Sequence, residues 1–314
     1  MAPTFFTGIV RVRVPATSAN LGPGFDALGL ALALYDDVSA QVTEGGCRVT
    51  IQGAGVGELP TGDEHLIVRS MYATFDALGG RPPGLDLECV NRIPQARGLG
   101  SSSAAIVAGV LLARELVEDG ADRLDAADVL RLAAEQEGHP DNVAPCLLGG
   151  FTIAWTEDSG ARAVSIPPAE GVVPTVFVPD QQGFTSAARA ALPPAVPHAD
   201  AAFTAGRAAL LVHAVTAAPR LLLPATADRL HQDYRADAMP ETDALVSALR
   251  AAGVAAVVSG AGPSVLALSP VPAAARPGIG WRTEALSVDV TGAWVARGTL
   301  GHAERDTVAA GRRS

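Results

Sequence analysis

The chain has 314 residues, 48% hydrophobic and 18% charged, and 23 basic against 33 acidic residues give a net charge of −10. The length allows two domains or one large one, and the apolar content excludes a disordered chain. The negative charge disfavours a general binder of nucleic acids or anionic membranes. All the basic residues are arginines, because the sequence contains no lysine. Enzymes that depend on a Schiff-base lysine, a pyridoxal-phosphate lysine or the lysine of a Walker A loop are therefore excluded.

The three cysteines, Cys47, Cys89 and Cys146, are odd in number and far apart. Their spacing predicts neither a disulfide framework nor a metal site, and it favours a reducing, cytoplasmic compartment. The N-terminus shows no basic segment followed by a long apolar one, so we expect no secretory signal. The uncharged stretch 251–275 contains prolines and glycines, and it predicts a buried strand, turn and strand instead of a membrane span.

Hydrophobic periodicity predicts the secondary structure of the chain. The first half is predicted to contain, in order, a strand at 9–14, a turn at 16–24, strands of an antiparallel set at 38–42 and 49–51, a helix at 66–78, a strand at 85–90, a loop at 98–103, helices at 104–117 and 126–137, and a strand from 151 to about 155. The second half is predicted to contain a strand at 175–178, helices at 186–192, 199–217 and 241–252, and strands at 255–259 and 264–268.

The mixture of helices and strands shows no regular βαβ alternation, which favours an α+β fold. The polar segment 157–168 marks a boundary between predicted domains at 1–160 and 161–301. The polar residues 302–314 predict a flexible tail.

A segment rich in glycine and serine, PQARGLGSSS at 94–103 (the Gly/Ser segment), lies between a predicted strand and an apolar helix. The first N–H groups of a helix have no partner inside it and carry partial positive charge, so this segment could bind phosphate. A serine cap after a glycine turn explains the segment about equally well.

Three further segments combine polar and small residues. They are residues 14–26 (the Asn/Gly segment), residues 135–145 (the His/Asp/Asn segment) and residues 259–264 (the Gly turn). Each has an ordinary structural interpretation: a turn, a capped helix end and a tight turn between strands. The His/Asp/Asn segment has too few ligands for a zinc site by itself.

Together, the four segments resemble the motifs of the GHMP kinase superfamily, and within it those of the homoserine kinases. The matching stretches are PATSANLGPGFD, PQARGLGSS, EGHPDNVAP and SGAGPS. The resemblance implies a two-domain α+β fold with the active site in the cleft between the domains. It implies a transferase of threonine biosynthesis that uses ATP and Mg²⁺ to phosphorylate the γ-hydroxyl of L-homoserine, giving O-phospho-L-homoserine.

The resemblance also implies a role for individual residues. ATP is assigned to Pro94, Arg97, Gly98, Leu99, Gly100, Ser101, Ser102 and Ser103, and Mg²⁺ to Ser102 and Glu137, with Glu135 as an alternative carboxylate. L-Homoserine is assigned to Asn20, Asp26, His139, Asp141, Arg189 and Arg235, where Asp26 faces the ammonium and the two arginines face the carboxylate. The catalytic residues are Asn142, Asn20, Arg189 and Thr185.

The implied mechanism has no strong general base, because Asn142 stands where related kinases of the superfamily have an aspartate. Positioning and charge stabilisation can carry most of a phosphoryl transfer. The sequence departs from the family pattern at His65 and Thr204, where asparagine is common, and in the third serine after Gly100. These departures concern the nucleotide pocket.

Two other functions make different predictions for these residues. A GHMP-family kinase of another small hydroxylated substrate, such as mevalonate, predicts aspartate at position 142 and no arginine pair. A non-catalytic ligand-binding protein predicts that phosphate or Mg²⁺ residues are missing, and none is. By resemblance we expect a homodimer, and we expect no nucleic-acid or membrane partner.

Overall fold

The computed structural model describes residues 3–183 and 185–298, with the main chain alone for Thr185. The strands in chain order are β1 (Ile9–Ala19), β2 (Leu28–Thr43), β3 (Gly46–Gly53), β4 (Gly84–Asn91), β5 (Phe151–Glu157), β6 (Gly160–Ile166), β7 (Thr175–Pro179), β8 (Ala256–Val258), β9 (Val265–Ala267), β10 (Trp281–Ala285) and β11 (Trp294–Gly298). The helices are α1 (Leu66–Ala77), α2 (Ser101–Leu116), α3 (Gly120–Arg123), α4 (Ala126–Glu137), α5 (Val143–Leu148), α6 (Thr185–Ala190), α7 (His198–Thr216), α8 (Leu222–Ala225), α9 (Gln232–Arg235) and α10 (Pro240–Ala251).

Within the described residues, the larger sheet has seven strands in the order β11-β1-β2-β4-β3, and β5 joins β2 and carries β6. The predicted antiparallel arrangement of the early strands is wrong at one place, because β3 and β4 pair in parallel. The helix α1 connects these two strands, and a helical crossover is what parallel pairing requires. The helix α2 packs against β1 and against α1 and α4, and its apolar residues are buried in the main core.

The second sheet has four strands in the order β10-β7-β9-β8. Its core cluster includes Phe177 and Leu249, which are fully buried. The stretch 251–275 supplies β8 and β9, as predicted. Among the described helices, none has both the length and the apolarity needed to cross a bilayer. The α+β class predicted from the sequence is confirmed.

The two sheets divide the chain differently from the predicted domain limits of 160 and 161. Strand β6 lies beyond residue 160 along most of its length, yet it pairs with β5 in the first sheet. Strand β11 returns from the end of the described chain to pair with β1. Domain limits of 1–160 and 161–301 stay a prediction, and the predicted tail 302–314 lies outside the described residues.

Two local boundaries differ from the prediction in ways that concern the site. Strand β1 continues to Ala19, where a turn was predicted from residue 16, because this stretch is buried and hydrogen-bonded to β2. Helix α2 begins at Ser101, three residues earlier than predicted. Gly100, in the left-handed conformation with φ of 71°, precedes the helix, so the serines form its first turn.

Candidate active site

A cleft of about 650 Å³ opens where the four motif segments meet. From the N-terminal half its lining consists of Asn20, Asp26, residues 96–102, Glu137, His139, Asp141 and Asn142. From the C-terminal half it consists of Gly183, Arg189, Arg235 and residues 260–262. Pro94 and Ser103, two of the predicted ATP contacts, do not line this cleft. The site therefore unites segments that are more than 200 residues apart in the chain.

The Gly/Ser segment is held between the Asn/Gly segment and the Gly turn. The carbonyl of Leu99 accepts a hydrogen bond from the Thr17 N–H at 3.1 Å. A Cβ at Gly98 would collide with the carbonyl oxygen of Ser259, so only glycine allows the close approach. The segment thus directs the first turn of α2, with its unpaired N–H groups, toward the cleft.

The side chain of Arg97 contacts the protein's own main chain. Its guanidinium donates to the carbonyl oxygens of Pro179 at 2.9 Å, Gln95 at 3.0 Å and Asp180 at 2.5 Å. Arg97 therefore ties the Gly/Ser segment to the end of β7. A contact of Arg97 with ATP stays a prediction. Because the guanidinium is engaged by the protein, the main chain of Arg97 would have to make that contact.

The two candidate carboxylates for Mg²⁺ lie in different surroundings. Glu137 accepts hydrogen bonds from the hydroxyls of Ser102 and Ser103, both at 2.9 Å, at the start of α2. Glu135 is engaged by Arg131 at 3.1 Å on the exposed face of α4. The structure thus brings Glu137, and not Glu135, to the Gly/Ser segment. The oxygen donors of Ser102 and Glu137 suit Mg²⁺, which is bound by a few oxygens together with phosphate.

The side chain of Asn20 is hydrogen-bonded to main-chain groups of the protein. It has a φ of 67°, and its side-chain Nδ2 donates to the carbonyl of Gly260 at 2.8 Å. Its Oδ1 accepts from the main-chain N–H of Asp26 at 3.0 Å. Because both ends of the carboxamide are engaged, Asn20 joins the Asn/Gly segment to the Gly turn, and one N–H remains available to the cleft.

Asp26 and Arg189, predicted to bind opposite charges of one substrate, face each other. The guanidinium of Arg189 donates to both carboxylate oxygens of Asp26, at 2.7 and 3.1 Å. This hydrogen bonding raises the pKa of Arg189. Both side chains are about three-eighths exposed, so a ligand in the cleft can reach them.

Arg235 is nearly inaccessible, with 1% of its surface exposed. Its Nε donates to the carbonyl of Ala188 at 3.1 Å, and the ring of Phe25 lies 5.4 Å from its guanidinium. Among the described residues it has no ion-pair partner within 4 Å, and burial lowers its pKa. A buried guanidinium without a carboxylate partner is costly, and an anionic ligand group in the cleft would offset that cost.

His231 contacts Arg235 and was not predicted as a site residue. It is fully buried, its Nε2 donates to the carbonyl of Gly22 at 2.7 Å, and its Nδ1 accepts from Arg235 at 3.1 Å. Burial lowers its pKa, which favours the neutral imidazole that this pattern requires. Its position four residues before Arg235 is the one sequence signal that could have indicated it.

The His/Asp/Asn segment places three polar side chains at the cleft. His139 Nδ1 lies 2.6 Å from a carboxylate oxygen of Asp141, which is buried. Burial lowers the pKa of His139, but the hydrogen bond and charge of Asp141 and the charge of Glu137 raise it above the ordinary value. The side-chain oxygen of Asn142 accepts a hydrogen bond from the Thr17 hydroxyl at 2.8 Å. The structure describes no side chain for Thr185, so its role stays a prediction.

A second, mostly apolar pocket of about 920 Å³ lies on the other side of Ser101 and Ser102. His65 lines it and is 3% exposed. Its Nδ1 accepts from the N–H of Ile67 at 3.3 Å, and its Nε2 is buried without a hydrogen-bond partner among the described residues. The other departure from the family pattern, Thr204, lines neither pocket and accepts from the N–H of Arg229 at 3.3 Å.

Comparisons with known proteins agree with this geometry. The family model of the GHMP kinases N-terminal domain matches residues 65–150, and that of the C-terminal domain matches residues 204–276. Homoserine kinase from Streptomyces avermitilis is 57% identical over 297 residues, covering 93% of this chain and 97% of the relative. Homoserine kinase from Clavibacter michiganensis is 52% identical over 296 residues, covering 91% and 93%.

A solved structure shows the same fold. Homoserine kinase from Cytophaga hutchinsonii superposes with a TM-score of 0.80 at 28% identity, covering 93% of this chain and 99% of that one. The chain is a kinase that uses ATP and acts on a small molecule, and it belongs to the GHMP kinases. Among them it belongs to the homoserine kinase family.

Proposed function

We propose that this chain transfers the γ-phosphoryl group of ATP to the γ-hydroxyl of L-homoserine and forms O-phospho-L-homoserine. The observation that supports this substrate is the cluster of Asp26, Arg189 and the buried Arg235 beside the Gly/Ser segment. A free amino acid carries an ammonium and a carboxylate close together. Asp26 offers an anion to the first, and the two arginines offer forked donors to the second.

The same cluster argues against the alternative of another hydroxylated substrate. Mevalonate has a carboxylate but no ammonium, so it would leave Asp26 without a cationic partner in the substrate. Asn142 also stands where that alternative predicts an aspartate. An ADP-release assay with homoserine, serine, threonine and mevalonate tests the proposal. Strong turnover with homoserine alone is expected, and faster turnover with mevalonate would overturn it.

The phosphates of ATP would lie at the start of α2, whose first N–H groups and helix dipole favour negative charge. Ser102 and Glu137 would hold Mg²⁺ there, and the ion would supply charge neutralisation for the phosphates. Asn142 would donate hydrogen bonds to the reacting oxygens. Arg189 and Arg235 would orient the amino acid so that its hydroxyl faces the γ-phosphoryl group.

The second pocket would hold the nucleoside. Because His65 Nδ1 accepts from the N–H of Ile67 and burial lowers the pKa of this histidine, the neutral ring carries its proton on Nε2. This N–H would donate to a nitrogen acceptor of adenine. The base would thereby satisfy a donor that has no partner among the described residues.

Replacing His65 with asparagine tests this placement. Asparagine keeps an oxygen that can accept from the Ile67 N–H at the start of α1, but it does not reach as far into the pocket. We expect the KM for ATP to rise about three- to tenfold, the value of one hydrogen bond, with an unchanged KM for homoserine. An unchanged KM for ATP would show that adenine does not bind beside His65 in this pocket.

Catalysis would proceed without a general base, because the carboxamide of Asn142 cannot accept a proton near neutral pH. The hydroxyl proton would leave late, to the phosphoryl group or to solvent. His139, beside Asp141, is the competing proton acceptor. Its pKa is raised, so it stays protonated at pH values somewhat above its ordinary 6.5.

A pH–rate profile separates the two mechanisms. If His139 were the base, kcat would require the neutral ring and would fall as the pH decreases through the raised pKa. Without a base, we expect kcat to stay flat through that range. His139→Gln and Asp141→Asn are expected to keep measurable turnover, impaired through substrate placement. An acid limb that disappears in either variant, together with nearly all turnover, would contradict the base-free mechanism.

The expected homodimer, the cytoplasmic location and the lack of nucleic-acid or membrane partners stay predictions from the sequence. Size-exclusion chromatography with light scattering would measure the oligomeric state.

A further inference from the structure

We propose that Thr17 is a positioning residue whose buried hydroxyl sets the orientation of the Asn142 carboxamide. The inference rests on the proposed function, in which Asn142 contacts the reacting oxygens. It adds a residue that makes no contact with substrate and acts through its neighbour.

The geometry around Thr17 supports this role. Thr17 is in β1 and has no exposed surface, and its Oγ1 donates to Asn142 Oδ1 at 2.8 Å. Its main-chain N–H donates to Leu99 in the Gly/Ser segment at 3.1 Å. A Cβ at Gly100 would collide with the Thr17 hydroxyl, so the segment is shaped to admit that group. One threonine therefore contacts both the Gly/Ser segment and Asn142.

Asn142 has no other side-chain partner that would orient it among the described residues. It stands at the start of α5, but its side chain makes no capping bond to that helix. It lines the cleft. The bond to Thr17 is thus the one side-chain hydrogen bond that holds the carboxamide among the described residues, and it engages the oxygen end.

That direction has a chemical consequence. A carboxamide has an acceptor oxygen at one end and two N–H donors at the other. With the oxygen bound to Thr17, the donors are available to the cleft. Negative charge on the oxygens of the transferring phosphoryl group is stabilised by donors and opposed by a carbonyl oxygen. Because rotation about χ2 of asparagine is broad, the carboxamide can turn over once the hydroxyl is absent.

The test starts from Thr17→Val, which keeps the shape of the side chain and removes the hydroxyl. We expect kcat to fall about tenfold, as for one lost transition-state interaction, while both KM values stay within about twofold. Thr17→Ser restores the hydroxyl and should recover most of the loss. Thr152→Val is the matched control, since Thr152 is also fully buried and its hydroxyl donates to a main-chain carbonyl, that of Gly29.

A double-mutant cycle distinguishes positioning from a general structural effect. If Thr17 acts through Asn142, Thr17→Val should cause no further loss of kcat in an Asn142→Ala background. A second tenfold loss in that background, or wild-type kcat in Thr17→Val alone, would overturn the proposal. The cycle is measured with whichever substrate the wild-type chain phosphorylates. If homoserine is not a substrate, the wild-type assay shows this by itself, and the result for Thr17 can still be interpreted.

A measurement independent of activity uses the side-chain amide resonances of Asn142 in ¹⁵N–¹H spectra, assigned by their loss in Asn142→Ala. We expect them to shift or broaden in Thr17→Val and to return in Thr17→Ser. Resonances that stay unchanged in the valine variant would show that the hydroxyl does not set the orientation.

Discussion

Replacing Glu137 with alanine is expected to reduce kcat at least about tenfold, which corresponds to a loss of about 1.4 kcal/mol of transition-state stabilisation. The physical reason is the place of this carboxylate, which accepts hydrogen bonds from Ser102 and Ser103 where the phosphates would lie. The variant should lose negative charge for the cation and also leave two serine hydroxyls without their partner. Steady-state kinetics at a series of Mg²⁺ concentrations measures both the rate and the apparent affinity for the ion.

Two further variants make this result interpretable. Glu137→Gln keeps the size of the side chain and removes its charge, so it should also be slow and should need more Mg²⁺. Glu135→Ala is the matched control, because Glu135 lies two residues away on α4 and contacts only Arg131 among the described residues. If Glu135→Ala loses most of its kcat and Glu137→Ala keeps nearly all of it, Glu135 and not Glu137 is the Mg²⁺ ligand.

The second large effect is expected for Arg189→Gln, which should raise the KM for homoserine about ten- to a hundredfold and leave the KM for ATP nearly unchanged. A hydrogen bond to a charged group contributes about 1.5–3 kcal/mol, which gives this range. The variant also leaves Asp26 without its forked partner. Homoserine amide, which lacks the carboxylate, should be a poor substrate of the wild type and should lose little more in the variant.

Arg48→Gln is the control for this substitution. Arg48 forms a bidentate pair with Asp86 between β3 and β4, at 3.0 and 2.6 Å, away from the cleft. This pair has the same chemistry as the pair of Asp26 and Arg189. Arg48→Gln should nevertheless leave the KM values for homoserine and ATP unchanged. If Arg189→Gln raises the KM for ATP as much as that for homoserine, Arg189 stabilises the fold or the closed cleft and does not bind the substrate carboxylate.

Local signals in the sequence determined the bounds of α4, the helix that carries Glu137. Helix α4 begins and ends where predicted, at 126 and 137. Asp125 caps its first turn, and Gly138, with a φ of 90°, ends it. These signals are contacts between residues a few positions apart, so the chain specifies them without its tertiary structure. The motif segments likewise identified the family, because their residue types and order are properties of the sequence.

The strand pairing was decided by contacts over long distances in the chain. Strand β11 pairs with β1 across more than 270 residues, and no pattern within either segment indicates the partner. Strand β6 falls in the segment predicted as a domain boundary, and only its pairing with β5 and its packing against α4 make it part of the first sheet. Pairing depends on which apolar surfaces remain to be buried after the rest has folded.

The site itself divides in the same way. The sequence by itself determined which residue types the motif segments supply to the cleft: glycines and serines, proposed to bind phosphate, a carboxylate, and the charged groups proposed to bind a small zwitterion. Only the tertiary structure decided that Asp26 contacts Arg189 across 163 positions and that Thr17 contacts Asn142 across 125. A side chain's partner depends on packing and burial around it, and these exist only once both halves of the chain have folded.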